Sequence, residues 1–489
     1  MNLSKSKYCN GIQCKKMLWL DKYKSNVKED IDNSAIMDNG NDVHEVARKL
    51  FGDDINIKFN ENLNVMIEDT KEALKNDKAI ITEASFAYKS NFCSVDILVK
   101  DGNDYDIYEV KSSTHLKDVF KTDLSYQVYV LTKLGYNVRR SSVVIINSSY
   151  EYHDHLELDK LFTKIDLTEE MIDKQKYIED NIKSINDYVD DSDEKESVIS
   201  INCFEPYKCP YFKYCTRNIE SPNVFDIRSL SNKKKIELYN NGLKSYRDLL
   251  ESSINDKYKM QIDYELNNKE DYIDKEKIKE FLDTLSYPLY FLDFETFQMS
   301  IPKYEGVRPY MQVPFQYSLH YYDKNGVLKH KEFLADSDVD PRRFLAERLV
   351  KDIKKDTCVL AYNMSFEKNV IKNLASLYPD LKADLDNIYN NIKDLMIPFK
   401  NRYYYNKDMQ GSYSIKYVLP ALFKDDPSLD YHNLDMVHNG SEAMNIFADL
   451  SSYSIDEQKK IRKSLLEYCC LDTYAMVKIY DYLKDIVKE

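Results

Sequence analysis

Apolar positions alternate with polar ones in some parts of this chain and recur every three to four residues in others, and the switches between the two periods mark out its elements. NDVHEVARKLFG, residues 41–52, carries a helical stripe with Asn41 or Asp42 as its cap. ITEASFAYKSNFCSVDILVKDGNDYDIYEVKSS reads as a set of strands, with turn chemistry at DGND, residues 101–104. KTDLSYQVYVLTKLGY returns to the helical period and ends at Gly135, and VRRSSVVIIN is a further strand. INDYVDDSDEKES, residues 185–197, is acidic without an apolar face and is expected as a loop. From about 221 to 285 the pattern is helical and charged, with SLSNKKKIELYNNGLKSYRDLLESS predicting two helices broken at Gly242.

A third character begins at 286. YFLDFETF is a strand, and PFQYSLHYYDKNG and LKHKEFLA alternate as antiparallel strands. Helix PRRFLAERLVKDIKK, strand TCVLAYN and helix SFEKNVIKNLASLY follow, and the last helix is DEQKKIRKSLLEYCCLDTYAMVKIYDYLKD. The pattern predicts an α/β protein with two mixed-sheet domains, residues 1–220 and 286–489, joined by a helical connector, 221–285.

Composition narrows the class. The 489 residues are 43% hydrophobic, enough for sizeable cores, and no apolar run approaches a membrane span. The opening MNLSKSKYCNGIQCKK has no apolar signal-peptide region, so a cytoplasmic protein without a membrane partner is expected. A net charge of −14 argues against a passive nucleic-acid coat but leaves room for an enzyme that concentrates carboxylates at metal sites. The first basic strip, KSKYCNGIQCKK, and the second, SNKKK, are candidate phosphate contacts or ordinary solvated surface. The cysteine count of nine is odd, which with a cytoplasmic setting argues against a disulfide framework.

The chemistry starts in YFLDFETF. Asp293 and Glu295 stand two residues apart on a strand and point the same way. Paired carboxylates beside a core are costly unless a cation neutralises them, and a divalent metal ion is the usual solution; solvated acids at a strand end are the alternative. Asn363, Phe366 and Glu367 follow a later strand in AYNMSFEKNV, with Asn363 and Glu367 spaced i, i+4 at a helix start. Tyr468 and Asp472, in YCCLDT, are also i, i+4 and face one way on the last helix. Asp394, in KDLMIPF, is a further acid beside apolar residues.

In this order, the D-x-E strand, the N-x-x-F-[DE] helix start and the Y-x-x-x-D helix resemble the DEDDy 3′–5′ exonucleases of the ribonuclease H-like superfamily, over about 286–489. The resemblance implies that Asp293, Glu295, Glu367 and Asp472 hold two Mg2+ or Mn2+ ions and that Tyr468 positions the attacking water. Glu367 departs from the family's usual Asp; either its longer arm reaches the metal or Asp394 substitutes. GSYSIKYVLPAL matches the region between the second and third motifs. Tyr403, Tyr404, Tyr405 and Tyr413 are either base-stacking or ordinary core or surface tyrosines.

A second set lies in the N-terminal part. SVDILVK places Asp96 in one strand, and YEVKSS places Glu109 and Lys111 on one face of the next. This resembles the PD-(D/E)xK nuclease core, in which the acids bind metal and the Lys positions water or stabilises developing charge. In the RecB-like and CRISPR-associated Fe–S exonuclease branch an early helix adds a His, matched here by His44, and Glu83 is a possible auxiliary acid. That branch carries Q-x-x-x-Y on the next helix; Gln127 is present, but position 131 is Leu, which leaves Tyr126 or Tyr129 for the Tyr role.

CFEPYKCPYFKYC spaces Cys203, Cys209 and Cys215 by five residues each, unlike the C-x2–4-C of zinc sites. By the same resemblance these three and Cys14, with Cys9 as a rival, would hold a structural 4Fe–4S cluster that clamps the ends of the domain; three free buried thiols are the alternative. The two halves together resemble an uncharacterised bacterial family fusing an Fe–S, RecB-like domain to a ribonuclease H-like exonuclease domain. A metal-dependent nuclease acting exonucleolytically on DNA or RNA is expected, with a catalytically degenerate nucleic-acid-binding scaffold as the alternative.

Overall fold

A computed structural model describes residues 3–30, 42–252 and 254–488. Asn41, one of the two caps considered above, lies outside the described residues. The protein is α/β with mixed sheets and divides into two compact units. The first comprises Met1–Ile219 and Met299–Met311, and the second Glu220–Gln298 and Gln312–Glu489. No described helix is long and apolar enough to cross a membrane.

The first unit is built on a seven-stranded sheet. Its strands are β1 (Leu3–Ser4), β2 (Ile55–Asn56), β3 (Lys78–Tyr88), β4 (Asn91–Asp101), β5 (Asp104–Lys111), β6 (Asn137–Ile146) and β7 (Phe162–Asp166). They run in the order β2-β3-β4-β5-β6-β7, and β1 joins β4 in parallel. β5 pairs only with the far half of β4, from Ile97 to Asp101, while β1 pairs with Asn91 and Phe92. Between these two ladders β4 pairs with no strand on that side among the described residues, and Asp96 stands at the fork. Helices α1 (Lys5–Gln13), α2 (Lys15–Tyr23), α3 (Asp118–Lys133) and α4 (Gln175–Asp190) complete the framework.

Residues 185–190, read as part of a loop, form the last turns of α4. Ile178, Ile182, Ile185 and Val189 are buried along one side of it, and the apolar stripe is visible only when the window starts upstream of Ile185.

In the second unit β9 (Leu289–Phe297), β10 (Val313–Tyr322), β11 (Leu328–Leu334), β12 (Cys358–Ala361) and β13 (Ile392–Asp394) form a sheet in the order β11-β10-β9-β12-β13. The β9–β10–β11 ladders are antiparallel, and β12 and β13 are added in parallel. Alternation along β9 supplies two cores. Tyr290, Leu292 and Phe294 pack with Leu345, Leu349, Val370 and Ile371. Leu289 and Phe291 pack with Ala475, Met476, Tyr480 and Leu483 of the last helix. Asp293 and Glu295 continue this second face, so the period of two aims both acids at the helix that carries Tyr468 and Asp472. The helices used below are α5 (Ser365–Leu377), α6 (Ile415–Leu422) and α7 (Ile455–Ile486). A capping box between Ser454 and Glu457 starts α7.

The stretch read as a connector is part of the second unit. It has its own small core of Val224, Ile227, Tyr246, Leu249 and Ile262. Its short strand β8 (Tyr272–Ile273) pairs with β14 (Tyr404–Tyr405). Gly411 takes φ +71°, and a Cβ there would collide with the Gln261 amide of this stretch. Tyr404 and Tyr405 are core residues, 1% and 2% exposed, which removes them from the base-stacking candidates.

Candidate functional site

A concentration of buried like charge lies in the second unit. Donor atoms of Asp293, Glu295 and Cys469 lie within 4.8 Å of one another. Burial pushes both carboxyls well above the usual range, and Asp472 adds the largest like charge on each. Glu367 acts on both as well, so the acids of β9, α5 and α7 share one field. Glu367 is 2% exposed, and its Oε2 has no hydrogen-bond partner among the described residues. Burial, then the neighbouring Asp394, raises its carboxyl to about 8. Burial raises Asp472 to about 6, against the pull of hydroxyls from Tyr431 and Tyr468 and of the Lys416 ammonium.

Buried like charges and an orphaned carboxylate oxygen fit a divalent-cation site. Asp293, Glu295, Glu367 and Asp472 are the residues that would hold the ions. Asp394 has a different task. Its Oδ1 accepts the backbone N–H groups of Asn363 at 2.9 Å and Met396 at 3.0 Å. Asn363 takes φ +72° and precedes the helix, which starts at Ser365, so Asn363 and Glu367 do not share a helical face. The braced turn delivers Glu367 in the first turn of α5.

Three partners escaped the sequence reading. Tyr431 donates to Asp472 Oδ1 at 2.6 Å, and its ring lies 5.9 Å from that of Tyr468. Cys469 places Sγ 3.8 Å from Asp293 Oδ2. Lys416, on α6 in the GSYSIKYVLPAL segment, opposes the charge on Glu295 and Asp472. Only the position of Lys416 within a motif-bearing segment hinted at this. A cavity of about 890 Å3, lined by Lys416, Pro420, Phe423, Lys424, Tyr431 and His432 among others, adjoins the acids through Lys416 and Tyr431.

In the first unit, Glu109 is fully buried and its oxygens are occupied. Lys5 Nζ donates to Oε1 at 3.0 Å and to Oε2 at 3.2 Å. Lys111 donates to Oε1 at 2.5 Å and Gln127 to Oε2 at 2.6 Å. Lys111 also reaches Asp123 at 2.8 Å. Although burial alone would raise it, the Lys111 and Lys5 ammoniums hold Glu109 well below the usual carboxylate range. Burial and then Glu109 push Asp123 up to about 6. Asp96 Oδ2 accepts the Val110 N–H at 2.8 Å, so its side chain replaces a ladder bond where β5 splays from β4.

His44, Glu83 and Asp96 form a second group whose donor atoms lie within 4.8 Å of one another. Thr82 pairs with Ile97 and Ala84 with Val95, which sets Glu83 opposite Asp96. At that step Glu83 adopts φ +58°, backbone strain for a non-glycine residue beside a chemical site. Lys5 and Asp123 were not singled out in the sequence; Lys5 had only been part of a basic strip. Neither tyrosine considered for the open role joins the Glu109 cluster through its hydrogen bonds: Tyr126 donates to Leu3 O at 2.7 Å, and Tyr129 packs edge-on against Tyr88.

Cys14, Cys203, Cys209 and Cys215 line a single cavity of about 270 Å3. Cys14 joins α1 to α2. The N-terminal helices are tied to the Cys-rich segment by Gln13, whose amide donates to Asn202 O and Tyr207 O, each at 2.7 Å. Burial raises the Cys203, Cys209 and Cys215 thiols, Cys209 to about 12, and Cys14 acts on all three. Four cysteines around one cavity are the donor set that an iron–sulfur cluster would take. Cys9 instead interacts with Asp123, Lys111 and Glu109.

Comparison with known families finds a match to a domain of unknown function, DUF2779, over residues 290–414. This stretch takes in Asp293, Glu295, Glu367 and Asp394 and ends before Lys416, Tyr431, Tyr468 and Asp472. No curated protein and no solved structure matches the chain.

Proposed function

We propose that the second unit is a metal-dependent nuclease, exonucleolytic by its resemblance to the DEDDy ribonuclease H-like enzymes, acting on DNA or RNA. The observation that carries this reading is that Asp293 and Glu295, Glu367, and Asp472 with Tyr468 come from three separated elements into one buried, charge-crowded region. Bound Mg2+ or Mn2+ ions supply the positive charge that stabilises the attacking and leaving oxygens of a phosphodiester. The four carboxylates hold those ions. Tyr468, one helical turn from Asp472 on the same helix, orients the attacking water. Tyr431 keeps Asp472 ionised and in one rotamer, and Lys416 offers a cation to the phosphate from the neighbouring cavity.

The first unit is proposed as a PD-(D/E)xK, RecB-like domain. Asp96, His44 and Glu83 provide its cation site, Glu109, Lys111 and Gln127 a polar network, and the four cysteines a structural 4Fe–4S cluster. One observation favours a binding rather than a cutting role here: Lys5 already neutralises Glu109 and lies 3.5 Å from Asp96 Oδ1.

The deciding experiment digests end-labelled single-stranded DNA and RNA with the full chain in Mg2+ or Mn2+. Stepwise shortening that disappears with chelator and in Asp293→Asn, but persists in Asp96→Asn, is the expected result. Unchanged digestion by the Asp293→Asn, Asp96→Asn double variant would remove the nuclease assignment.

A further inference from the structure

A third group of residues whose donor atoms could meet on one metal ion lies in the second unit, and the nuclease reading does not use it. His320 on β10 and His330 on β11 are directly paired across the antiparallel ladder. Opposed positions on one sheet face bring side chains together, and the two imidazole rings stand 4.4 Å apart. Cys470 comes from α7, and one donor atom from each of the three residues lies within 4.8 Å of the others.

The rings are also held. Thr473 Oγ1 lies 2.8 Å from His320 Nδ1, and Ser318 Oγ lies 2.9 Å from His330 Nε2. These two hydroxyls bond each other at 2.7 Å. Fixing one ring nitrogen by an outer hydrogen bond leaves the other for a metal, which is how protein metal sites orient histidine ligands. Two imidazoles and a thiol are a borderline-soft donor set, suited to zinc and unlike the carboxylates proposed for Mg2+ or Mn2+. Three protein ligands leave a fourth position for water.

We propose that His320, His330 and Cys470 bind one zinc ion that staples α7 to the β10–β11 hairpin. The position matters because Cys470 is next to Cys469, which touches Asp293, and two residues before Asp472. Ser318, which steadies His330, pairs directly with Asp293 in the β9–β10 ladder. Zinc would thus set the height and rotation of the helix that presents Tyr468 and Asp472.

The test uses the full chain, stripped with chelator and titrated with Zn2+, and with Co2+ as a spectroscopic stand-in. The expected result is one fewer tightly bound zinc per chain in His330→Gln and in Cys470→Ser than in the wild type, with loss of the corresponding thiolate–cobalt absorption. Thr473→Val, which removes only the outer hydroxyl, should weaken this zinc about 10- to 100-fold. If Cys470→Ser does not fold, the partly exposed His330→Gln carries the comparison. Zinc binding that is unchanged in His330→Gln, or lost entirely in Cys209→Ser while His330→Gln retains the wild-type content, would overturn the proposal.

Discussion

Tyr431 donates its hydroxyl to Asp472 Oδ1 at 2.6 Å, joining a short turn before α7 to the acid at its centre. A hydrogen bond to a charged group contributes about 1.5–3 kcal/mol. Tyr431→Phe should therefore lower nuclease activity about 10- to 100-fold near neutral pH. It should also move the acidic limb of the pH–rate profile upward, because Asp472, already raised to about 6, loses a partner that favours its charged form. A Tyr431→Phe profile that superimposes on the wild type would show that the bond does not tune Asp472.

Buried carboxyls should make the metal-free protein sensitive to alkali. Burial holds Glu367 up to about 8 and Asp472 up to about 6, against ordinary values of 4.5 and 3.8. A carboxyl raised in the folded state favours folding at low pH, and that contribution is lost as pH rises through its folded value. In chelator, the melting temperature should fall as pH rises from about 4.5 to about 8, and Glu367→Gln should flatten the fall. Mn2+ should restore the wild type at pH 8 and do less for Glu367→Gln. Equal pH slopes for both proteins would exclude Glu367 as the source.

Lys5 should be a structural cation of the first unit. It bonds both oxygens of Glu109 and lies 3.8 Å from Asp123 Oδ1. Removing one partner from a buried ion network costs about 3–5 kcal/mol. Lys5→Met should destabilise the first unit by that order in urea unfolding, with Mn2+ recovering part of the loss through Asp96 and its neighbours. A loss well below 1 kcal/mol would mean that water compensates Glu109 equally well.

The thiol cage separates two cysteines that the sequence left in competition. Anaerobically purified protein should contain iron and sulfide. Cys14→Ser should lose most of both, whereas Cys9→Ser should keep them, because Cys14 lines the cavity and Cys9 interacts with the Glu109 cluster. Equal iron content in the two variants would remove Cys14 from the cage.

Much of this architecture is written locally. The alternation in YFLDFETF, the DGND turn, the break at Gly242 and the i, i+4 spacing of Tyr468 and Asp472 each depend on a few neighbouring residues, so the sequence alone determined the α/β class, most elements and the acids of β9 and α7. Reading went astray where the pattern extended past the window, as in α4. It also missed the packing role of the charged 221–285 stretch, whose small core closes only in three dimensions. Tertiary structure alone decided that Tyr431, Lys416 and Cys469 join the C-terminal acids, that Lys5 and Asp123 join Glu109, and that His320 meets His330 and Cys470. These partners come from elements about ten to more than a hundred residues apart. Side-chain period says which face a residue occupies, but only ladder register and helix packing say what it meets there.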